Sequence, residues 1–211
     1  MAFRNDQVSF EETEKILAVA RGCLATEGDF VELGCYKGDT GLLLAEVLRE
    51  ERVPQAGASA VEKSVDKSGR RRLWLYDSFE GLPEKTGADF SELGVNFRAG
   101  ELFVTKREVK ERFLRAGLTV PMIKKAWFQD LGAEDLPEKI AFAFLDGDFY
   151  ESIQDSLRLV EDKMVRGGTI IVHDYSNPAL PGVRKAVDEW LACGKVCGKV
   201  EEYKSLAIIS V

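Results

Sequence analysis

The chain has 211 residues, of which 45% are apolar and 31% are charged, and this is the composition of an ordinary globular protein. We therefore expect one domain over residues 1–211. The formal charge of −7 gives no electrostatic basis for binding a phosphate backbone, so nucleic acid is not an expected partner. Residues 1–7 lack a signal-peptide core and no long apolar run follows, so we expect a cytoplasmic protein with no membrane partner.

The cysteines are too few and too scattered for a disulfide framework. They are Cys23, Cys35, Cys193 and Cys197. The spacing of the last two is not that of a zinc site, and no second pair follows them. The sequence therefore predicts free thiols and no structural zinc.

Residues 1–28 are predicted to contribute one helix before the first strand. Ser9 and Glu12 have the spacing of a capping box, and an apolar stripe follows, which indicates a helix over about 10–25. Further along, residues 52–71 are rich in small and basic residues and show no periodicity. We expect a solvated surface insertion there.

A glycine-rich turn follows the first predicted strand, at 30–35, and leads into a helix at 40–51. Gly34 and Gly38 let backbone approach a nucleotide-like ligand closely, and Asp39 or Thr40 is placed to cap the helix. We expect a side chain at Gly34 to fill ligand space or to strain the turn. The spacing differs from the G-x-G-x-x-G of dinucleotide enzymes, and a plain strand-to-helix connection is an alternative. Glu32 adds a carboxylate at the mouth of the turn.

The second predicted strand, 73–76, ends at Asp77, where an acidic side chain can hold a ribose diol; a turn-capping aspartate is the alternative. Residues 84–104 form a candidate lid loop, whose large apolar side chains are more typical of satellite packing than of ligand contacts. A capping box at Thr105 and Glu108 then begins a helix, whose apolar side is Val109, Phe113 and Leu114.

The second half of the chain alternates strands and helices. Apolar runs predict strands at 122–128, 140–145 and 169–172, and the 155–165 region shows helical spacing up to Met164, with Gly167 and Gly168 ending the helix. An amphipathic helix at 181–193 and a closing hairpin of 195–203 with 205–211 complete the chain. This alternation predicts a largely parallel sheet.

Carboxylates, two aromatic residues and a histidine lie where the predicted strands end. Because ligands bind beyond the carboxyl ends of parallel strands, we expect these residues to meet at one edge of the sheet. They are Glu32 with Gly34, Asp77, Trp127 with Phe128, Asp146 with Asp148, and His173 with Asp174. A cap or turn role remains the alternative for each aspartate.

Five segments at these positions resemble a known family. They are Val-Glu-Leu-Gly-Cys-Tyr-Lys-Gly (31–38), Tyr-Asp-Ser-Phe-Glu-Gly-Leu-Pro (76–83), Ala-Trp-Phe-Gln-Asp (126–130), Leu-Asp-Gly-Asp-Phe-Tyr-Glu-Ser (145–152), and His-Asp-Tyr (173–175) with the segment 181–188. The chain is similar there to the S-adenosylmethionine-dependent macrocin O-methyltransferases, which act on antibiotic sugars. The second and fourth segments are specific; the glycine turn is not.

The resemblance implies a Rossmann-like class I methyltransferase fold, α/β, with a seven-stranded, mostly parallel sheet, an antiparallel last strand and helices on both faces. It also implies the residues that bind the cofactor. They are Glu32, Gly34, Tyr36, Gly38, Thr40, Asp77, Ser78, Phe79, Trp127, Phe128 and Asp146. Glu32 and Gly34 would line its methionine end, Asp77 its ribose, and Trp127 and Phe128 its adenine.

The resemblance further implies a metal site and a base. Asp146, His173 and Asp174 would hold Mg²⁺ or Mn²⁺, although the family has Asp-Asp-Tyr where this chain has His173, Asp174 and Tyr175. Asp148 or His173 would take the proton of the acceptor hydroxyl. A metal-independent reaction with His173 as base is an alternative.

The predicted function is therefore methyl transfer from S-adenosylmethionine to a hydroxyl of a small, sugar- or polyol-containing metabolite. A homodimer is compatible with this function. An NAD(P)-dependent oxidoreductase on a doubly wound sheet is the main alternative, but none of the five tyrosines has a lysine four residues later, as short-chain reductases need. A cofactor-binding module without catalysis is a third reading, which the carboxylates at the strand ends argue against.

Overall fold

A computed structural model describes residues 7–51, 71–93, 97–194 and 199–211. These residues form one seven-stranded sheet with helices on both faces. The strands are β1 (Asp29–Leu33), β2 (Leu73–Asp77), β3 (Met122–Lys125), β4 (Ile140–Leu145), β5 (Met164–Val172), β6 (Lys199–Tyr203) and β7 (Leu206–Ser210). The helices are α1 (Phe10–Gly22), α2 (Asp39–Glu50), α3 (Lys106–Arg115), α4 (Tyr150–Glu161) and α5 (Pro181–Ala192).

The strand order is β3-β2-β1-β4-β5-β7-β6, and β7 runs antiparallel to both of its neighbours. The other pairs, β1 with β2 and β4, β2 with β3, and β4 with β5, are parallel. The predicted sheet, with its closing hairpin and antiparallel last strand, is therefore confirmed. The order reverses between β1 and β4, so ligands are expected beyond the carboxyl ends of these two strands.

The central strands are buried on both sides, which is why they read as continuous apolar runs. In β1, Phe30 faces the core beneath α1, α2 and α3, whereas Val31 and Leu33 face the core beneath α4 and α5. Each such fully buried side chain contributes about 1.5–3 kcal/mol to folding. Burial on both faces fixes the register of the strands and hence the positions of the residues at their ends.

The helices largely follow their predicted positions. Ser9 and Glu12 form the capping box of α1, and Thr105 and Glu108 form that of α3, as predicted. The cap of α2 differs from the prediction: the N-cap residue is Gly38, without a side-chain hydrogen bond, and Asp39 is the first residue of the helix. The prediction for Leu114 is also wrong, because it is 58% exposed.

The prediction for residues 155–168 needs the largest correction. The helix begins at Tyr150 and ends at Glu161, so it starts earlier and stops sooner than its apolar spacing suggested. Met164 and the two glycines belong to β5 instead, where the stretch from Met164 to Thr169 lies opposite the shorter stretch from Ile140 to Phe142 in β4. Gly167 has φ of 83° within this irregular stretch, so the glycine pair marks a bulge and not a helix end.

The structure also tests several smaller predictions. The strand predicted at 122–128 is shorter, because β3 ends at Lys125 and Phe128 starts a 3-10 turn. Most of the predicted insertion at 52–71 lies outside the described residues; its last residue, Arg71, is buried rather than solvated. Cys23, Cys35 and Cys193 are free thiols as predicted, and Cys197 lies outside the described residues. No helix in the described part of the chain is long and apolar enough to cross a membrane.

Candidate active site

A cavity of about 220 Å³ opens at the carboxyl ends of the five parallel strands β1 to β5. Predicted site residues from each of these strands line it, namely Gly34, Tyr36, Asp77, Ser78, Trp127, Phe128, Asp146, Asp148, His173 and Asp174. Glu32 and Thr40 line a small adjoining cavity that shares several wall residues with the larger one. The expected convergence at one edge of the sheet is therefore seen.

The remaining two predicted cofactor-binding residues, Gly38 and Phe79, line neither cavity. The side chain of Phe79 is 3% exposed and packs in the core under α2 and α3. A Cβ atom placed on Gly38 would lie 3.1 Å from Val109 in α3. Both residues therefore support the cavity wall from behind.

Asp77 holds the glycine turn through its carboxylate. One oxygen accepts hydrogen bonds from the backbone N–H groups of Cys35 (3.0 Å) and Tyr36 (2.9 Å), and the other accepts one from Phe79 (2.7 Å). Burial raises the pKa of Asp77, although these hydrogen bonds act in the opposite direction. The predicted ribose-binding carboxylate thus also fixes the backbone of the turn, a role that the sequence analysis missed.

Of the two expectations for a side chain at Gly34, the structure supports strain in the turn. Gly34 lines the cavity and has φ of 90°, but a Cβ atom there would collide with the backbone carbonyl oxygen of Asp146. The glycine is needed because the chain segments leaving β1 and β4 pass in direct contact. A substitution at Gly34 would therefore displace the turn and Asp146 together.

Glu32 is a buried carboxyl group with an unused acceptor. Its side chain is 1% exposed, and its Oε2 atom has no hydrogen-bond partner among the described residues. Burial raises its pKa well above 4.5, and the charges of Asp146, Asp77 and Asp39 raise it further. An acceptor in this position suits a cationic ligand group, because a buried polar atom without a partner is costly.

Residues with left-handed backbone conformations gather around the cavity. Of the non-glycine residues with positive φ, four line it: Tyr36, Leu102, Asp148 and Asp174, with φ between 42° and 60°. Such conformations cost about 1–3 kcal/mol each and cluster at functional sites. The segments that follow β1, β4 and β5 therefore include residues in energetically unfavourable backbone conformations.

Asp146, His173 and Asp174 form a compact cluster. The Nδ1 atom of His173 lies 2.9 Å from Asp146 Oδ1 and 3.1 Å from Asp174 Oδ2, and one ligand atom from each residue lies within 4.8 Å of the others. Asn177, which also lines the cavity, donates from Nδ2 to Asp174 Oδ1 at 2.8 Å. Two carboxylates and an imidazole thus share one small space.

The charges in this cluster perturb the neighbouring titratable groups. Burial alone would lower the pKa of His173, but the charge of Asp146 and hydrogen bonds to Asp146 and Asp174 raise it well above 6.5. Burial, together with the charges of Asp146 and Asp174, raises the pKa of Asp148 well above its usual value. The neighbouring carboxylates therefore favour the protonated forms of both His173 and Asp148.

The segment predicted as a lid is anchored to the site. Asp89 is fully buried, accepts a 2.7 Å hydrogen bond from the backbone N–H of Tyr150 at the start of α4, and closes a capping box with Thr86. Ser91 donates to the carbonyl oxygen of Pro178 at 2.7 Å. Phe97 packs against the core beneath α4 and α5, as predicted, and also lines the cavity. The predicted packing is wrong for Phe90, Leu93 and Phe103, which are 72%, 61% and 60% exposed.

A network behind the cluster explains the motif at 173–188. The Tyr175 hydroxyl donates to Asp188 at 2.7 Å, and the Arg184 guanidinium stacks 4.1 Å from the centroid of the Tyr175 ring. Both partners come from α5, so this helix holds the backbone next to His173 and Asp174. No spacing rule predicts the network, because its members meet only when α5 packs beside β5.

The sequence model of the macrocin O-methyltransferase (TylF) family matches residues 18–208. A 4′-O-methyltransferase of a rhamnosyl-tetracenomycin from Streptomyces olivaceus is 32% identical over 169 residues, which cover 77% of this chain and 58% of that protein. The demethyldecarbamoylnovobiocin O-methyltransferase of Streptomyces niveus is 30% identical over 170 residues, covering 78% and 58%. The chain thus matches less than two thirds of the length of these relatives.

Solved structures show the same fold. The structure of the O-methyltransferase NovP superimposes with a TM-score of 0.78 at 24% identity, covering 96% of this chain and 80% of that one. The calicheamicin methyltransferase CalS11 superimposes with a TM-score of 0.73 at 17% identity, covering 99% and 80%. The predicted class I methyltransferase fold is confirmed.

Proposed function

Because the chain belongs to the macrocin O-methyltransferase (TylF) family, we propose that it transfers a methyl group from S-adenosylmethionine to a hydroxyl of a small sugar- or polyol-containing metabolite. The observation that carries this proposal is that one cavity is lined by the glycine turn, Asp77, an aromatic wall and the cluster of Asp146, His173 and Asp174. The family assignment also favours methyl transfer over the NAD(P)-dependent alternative.

The cavity has groups that suit each part of the cofactor. The free acceptor of Glu32 matches the ammonium of the methionine end. Three backbone N–H groups use three of the roughly four acceptor sites of Asp77, so one site on Oδ1 is left for a ribose hydroxyl. Trp127 and Phe128 form a half-buried aromatic wall suited to an adenine ring. When bound, the cofactor supplies the methyl group on a sulfonium that is already a good leaving group.

The cluster also suits a divalent cation. Adjacent ligands of an octahedral ion with bonds of 2.0–2.1 Å lie about 3.0 Å apart, and His173 Nδ1 lies 2.9 and 3.1 Å from the two carboxylate oxygens. Two carboxylates and one imidazole are compatible with Mg²⁺ and suit Mn²⁺ better than three carboxylates would. When bound, the ion would supply positive charge that lowers the pKa of the acceptor hydroxyl.

The surroundings of Asp148 and His173 favour different roles for them. Asp148 faces the cavity from the segment after β4, and its raised pKa suits a base that works near neutral pH. The Nδ1 atom of His173 lies between the two neighbouring carboxylates, where it would be a ligand of the cation and would not be free to take a proton. We therefore assign proton removal to Asp148 and binding of the cation to Asp146, His173 and Asp174, while the walls of the cavity align the acceptor oxygen.

The substrate class follows from the relatives. Their names specify methylation of a rhamnosyl group, of a novobiocin precursor and, for a 26% identical protein of Micromonospora griseorubida, of mycinamicin III. We infer an acceptor of this kind, a hydroxylated small molecule that carries a sugar. An assay panel should therefore begin with glycosylated natural products and their free sugars.

Two measurements test this function. In a thermal-shift panel, S-adenosylhomocysteine should raise the unfolding temperature and NADH should not, because a ligand at 100 times its Kd adds about 2.7 kcal/mol. In a methyl-transfer assay with an accepted glycoside, EDTA should lower turnover, and Mg²⁺ or Mn²⁺ should restore it. Stabilisation by NADH alone would reject methyl transfer. Turnover indifferent to EDTA, with a loss of 100-fold or more in His173→Ala, would favour the metal-independent alternative.

A further inference from the structure

One face of α3 packs directly on the turn between β1 and α2. Val109, Arg112 and Phe113 lie three and four residues apart, so they share this face of the helix. Val109 and Phe113 are fully buried, and both lie near the position that a Cβ atom on Gly38 would take, at 3.1 and 3.5 Å. The helix therefore supports the turn on the side away from the cavity.

Arg112 adds two polar contacts to this packing. Its Nη1 atom donates to the backbone carbonyl oxygen of Lys37 at 2.7 Å, and its Nη2 atom donates to the carboxylate of Asp39. The Arg112 side chain is 29% exposed and that of Asp39 is 8% exposed. One guanidinium thus bridges the residues on either side of Gly38.

The turn needs such an external support. The N-cap residue of α2, Gly38, offers no side-chain hydrogen bond, so the start of the helix lacks its usual local fixation. Asp77 holds only the first half of the turn, through the N–H groups of Cys35 and Tyr36. Arg112 holds the second half. Tyr36, which Asp77 holds, and Lys37 and Asp39, which Arg112 holds, line the cavities.

We propose that Arg112 is a positioning residue for the cofactor: it fixes the turn between β1 and α2 in its binding conformation without lining either cavity. This inference rests on the proposed function. A ligand that uses the N–H groups and side chains of this turn binds more weakly when they must first be ordered. Arg112 therefore contributes to affinity through Lys37 and Asp39.

A purely structural salt bridge would behave differently. Val109 and Phe113 supply the apolar packing of α3, and they remain when Arg112 is replaced. Because Asp39 is 8% exposed, Arg112→Ala also lowers the ligand-free stability of the fold. A positioning role predicts a loss of ligand affinity that exceeds this loss of stability.

The test compares S-adenosylhomocysteine affinity by calorimetry in the wild type, Arg112→Ala and Arg112→Lys. Arg115→Ala is the matched control, because Arg115 lies in the same last turn of α3 and its guanidinium donates to the carbonyl oxygen of Glu111, away from the turn between β1 and α2. We expect affinity to fall roughly 10- to 100-fold in Arg112→Ala and less in Arg112→Lys, and to stay unchanged in Arg115→Ala. Ligand-free urea unfolding is measured for each variant.

Ethylguanidinium provides a second readout that a structural role would not move. Added at millimolar concentration, it should restore part of the affinity of Arg112→Ala and leave that of the wild type unchanged. Equal affinities of wild type and Arg112→Ala would overturn this inference alone. A loss of affinity that matched a large loss of ligand-free stability, without rescue, would also overturn it. No binding by the wild type would reject the proposed function, and this inference with it.

Discussion

The two edges of the sheet treat buried charge in opposite ways. At the amino end, Asp29 accepts hydrogen bonds from the backbone N–H of Arg72 (2.9 Å) and the indole of Trp74 (2.8 Å). Arg71 donates to the carbonyl oxygens of Thr26 and Gly28 and lies 3.7 Å from the carboxylate of Glu51. Each charged side chain there contacts a hydrogen-bonding group or a charge of opposite sign, so these side chains stabilise the fold.

At the carboxyl end, charges of one sign are collected instead. Glu32, Asp77, Asp146, Asp148 and Asp174 lie around the two cavities, and His173 lies between two of them. The pKa of Glu32 and that of Asp148 are raised because burial and neighbouring carboxylates oppose ionisation. Burying carboxylates beside one another lowers the stability of the fold, and such clusters are typical of binding or catalytic sites. Substitutions at the two edges should therefore have opposite effects.

The largest effect is expected for Asp148→Asn. Loss of a general base lowers kcat by about 100- to 10,000-fold, while ligand-free stability stays the same or rises, because a carboxyl group that resists ionisation has been removed. Methyl transfer to an accepted glycoside and urea unfolding measure the two quantities. Activity within a few-fold of wild type would move the base elsewhere.

The next largest effect is expected at the opposite edge. Arg71→Ala should lower the free energy of unfolding by about 2–4 kcal/mol, because buried carbonyl oxygens and Glu51 lose a charged partner. S-adenosylhomocysteine affinity should be unchanged under conditions where the variant is folded. Urea unfolding measures the first quantity and calorimetry the second. A stable variant with weakened binding would contradict the division between the edges.

Glu12, which lines neither cavity, should make the stability of the protein depend on pH. Although burial acts to raise its pKa, hydrogen bonds from Ser205 and Ser9 lower it from 4.5 to about 2. The stabilisation is therefore complete above about pH 4.5 and is lost as pH falls through 2. We expect the ionised Glu12 carboxylate to contribute about 1–2 kcal/mol to the free energy of unfolding. Acid unfolding curves of wild type and Glu12→Gln should converge near pH 2; a constant difference at all pH values would contradict this account.

The smallest effect is expected for Glu32→Gln, and its sign is opposite to that of Glu12→Gln. The raised pKa of Glu32 means that the folded state resists ionisation, so wild-type stability is lost as pH rises above 4.5. Glu32→Gln should therefore be more stable than wild type at pH 8, by about 0.5–2 kcal/mol, and bind the cofactor more weakly. A variant destabilised at pH 8 would show that Glu32 serves folding.

The sequence predicts the frame of the site well and its internal contacts poorly. Apolar runs located the buried strands, and the parallel topology brought Asp77, Asp146 and His173 to one edge. The hydrogen bonds of Asp77 to the turn escaped prediction because their donors are backbone groups 41 and 42 residues away. Arg112 escaped for the same reason, since it meets Asp39 across 73 residues.

Local rules failed where tertiary context decided the outcome. Two glycines usually end a helix, but Gly167 and Gly168 lie in β5, where the strand bulges against β4. Leu114 has the spacing of a core residue, but α3 turns Val109 and Phe113 inward instead. Such choices depend on which face a helix packs, and no spacing within ten residues contains that information.

The most direct test of the division between the two edges is a pair of calorimetric titrations with S-adenosylhomocysteine. Asp77→Ala at the carboxyl end should weaken binding by about 1–3 kcal/mol, because a ribose hydroxyl and the turn lose a charged acceptor. Asp29→Ala at the amino end should bind like the wild type, although its fold is less stable. Equal affinity of Asp77→Ala and wild type, or a larger loss in Asp29→Ala, would contradict the account.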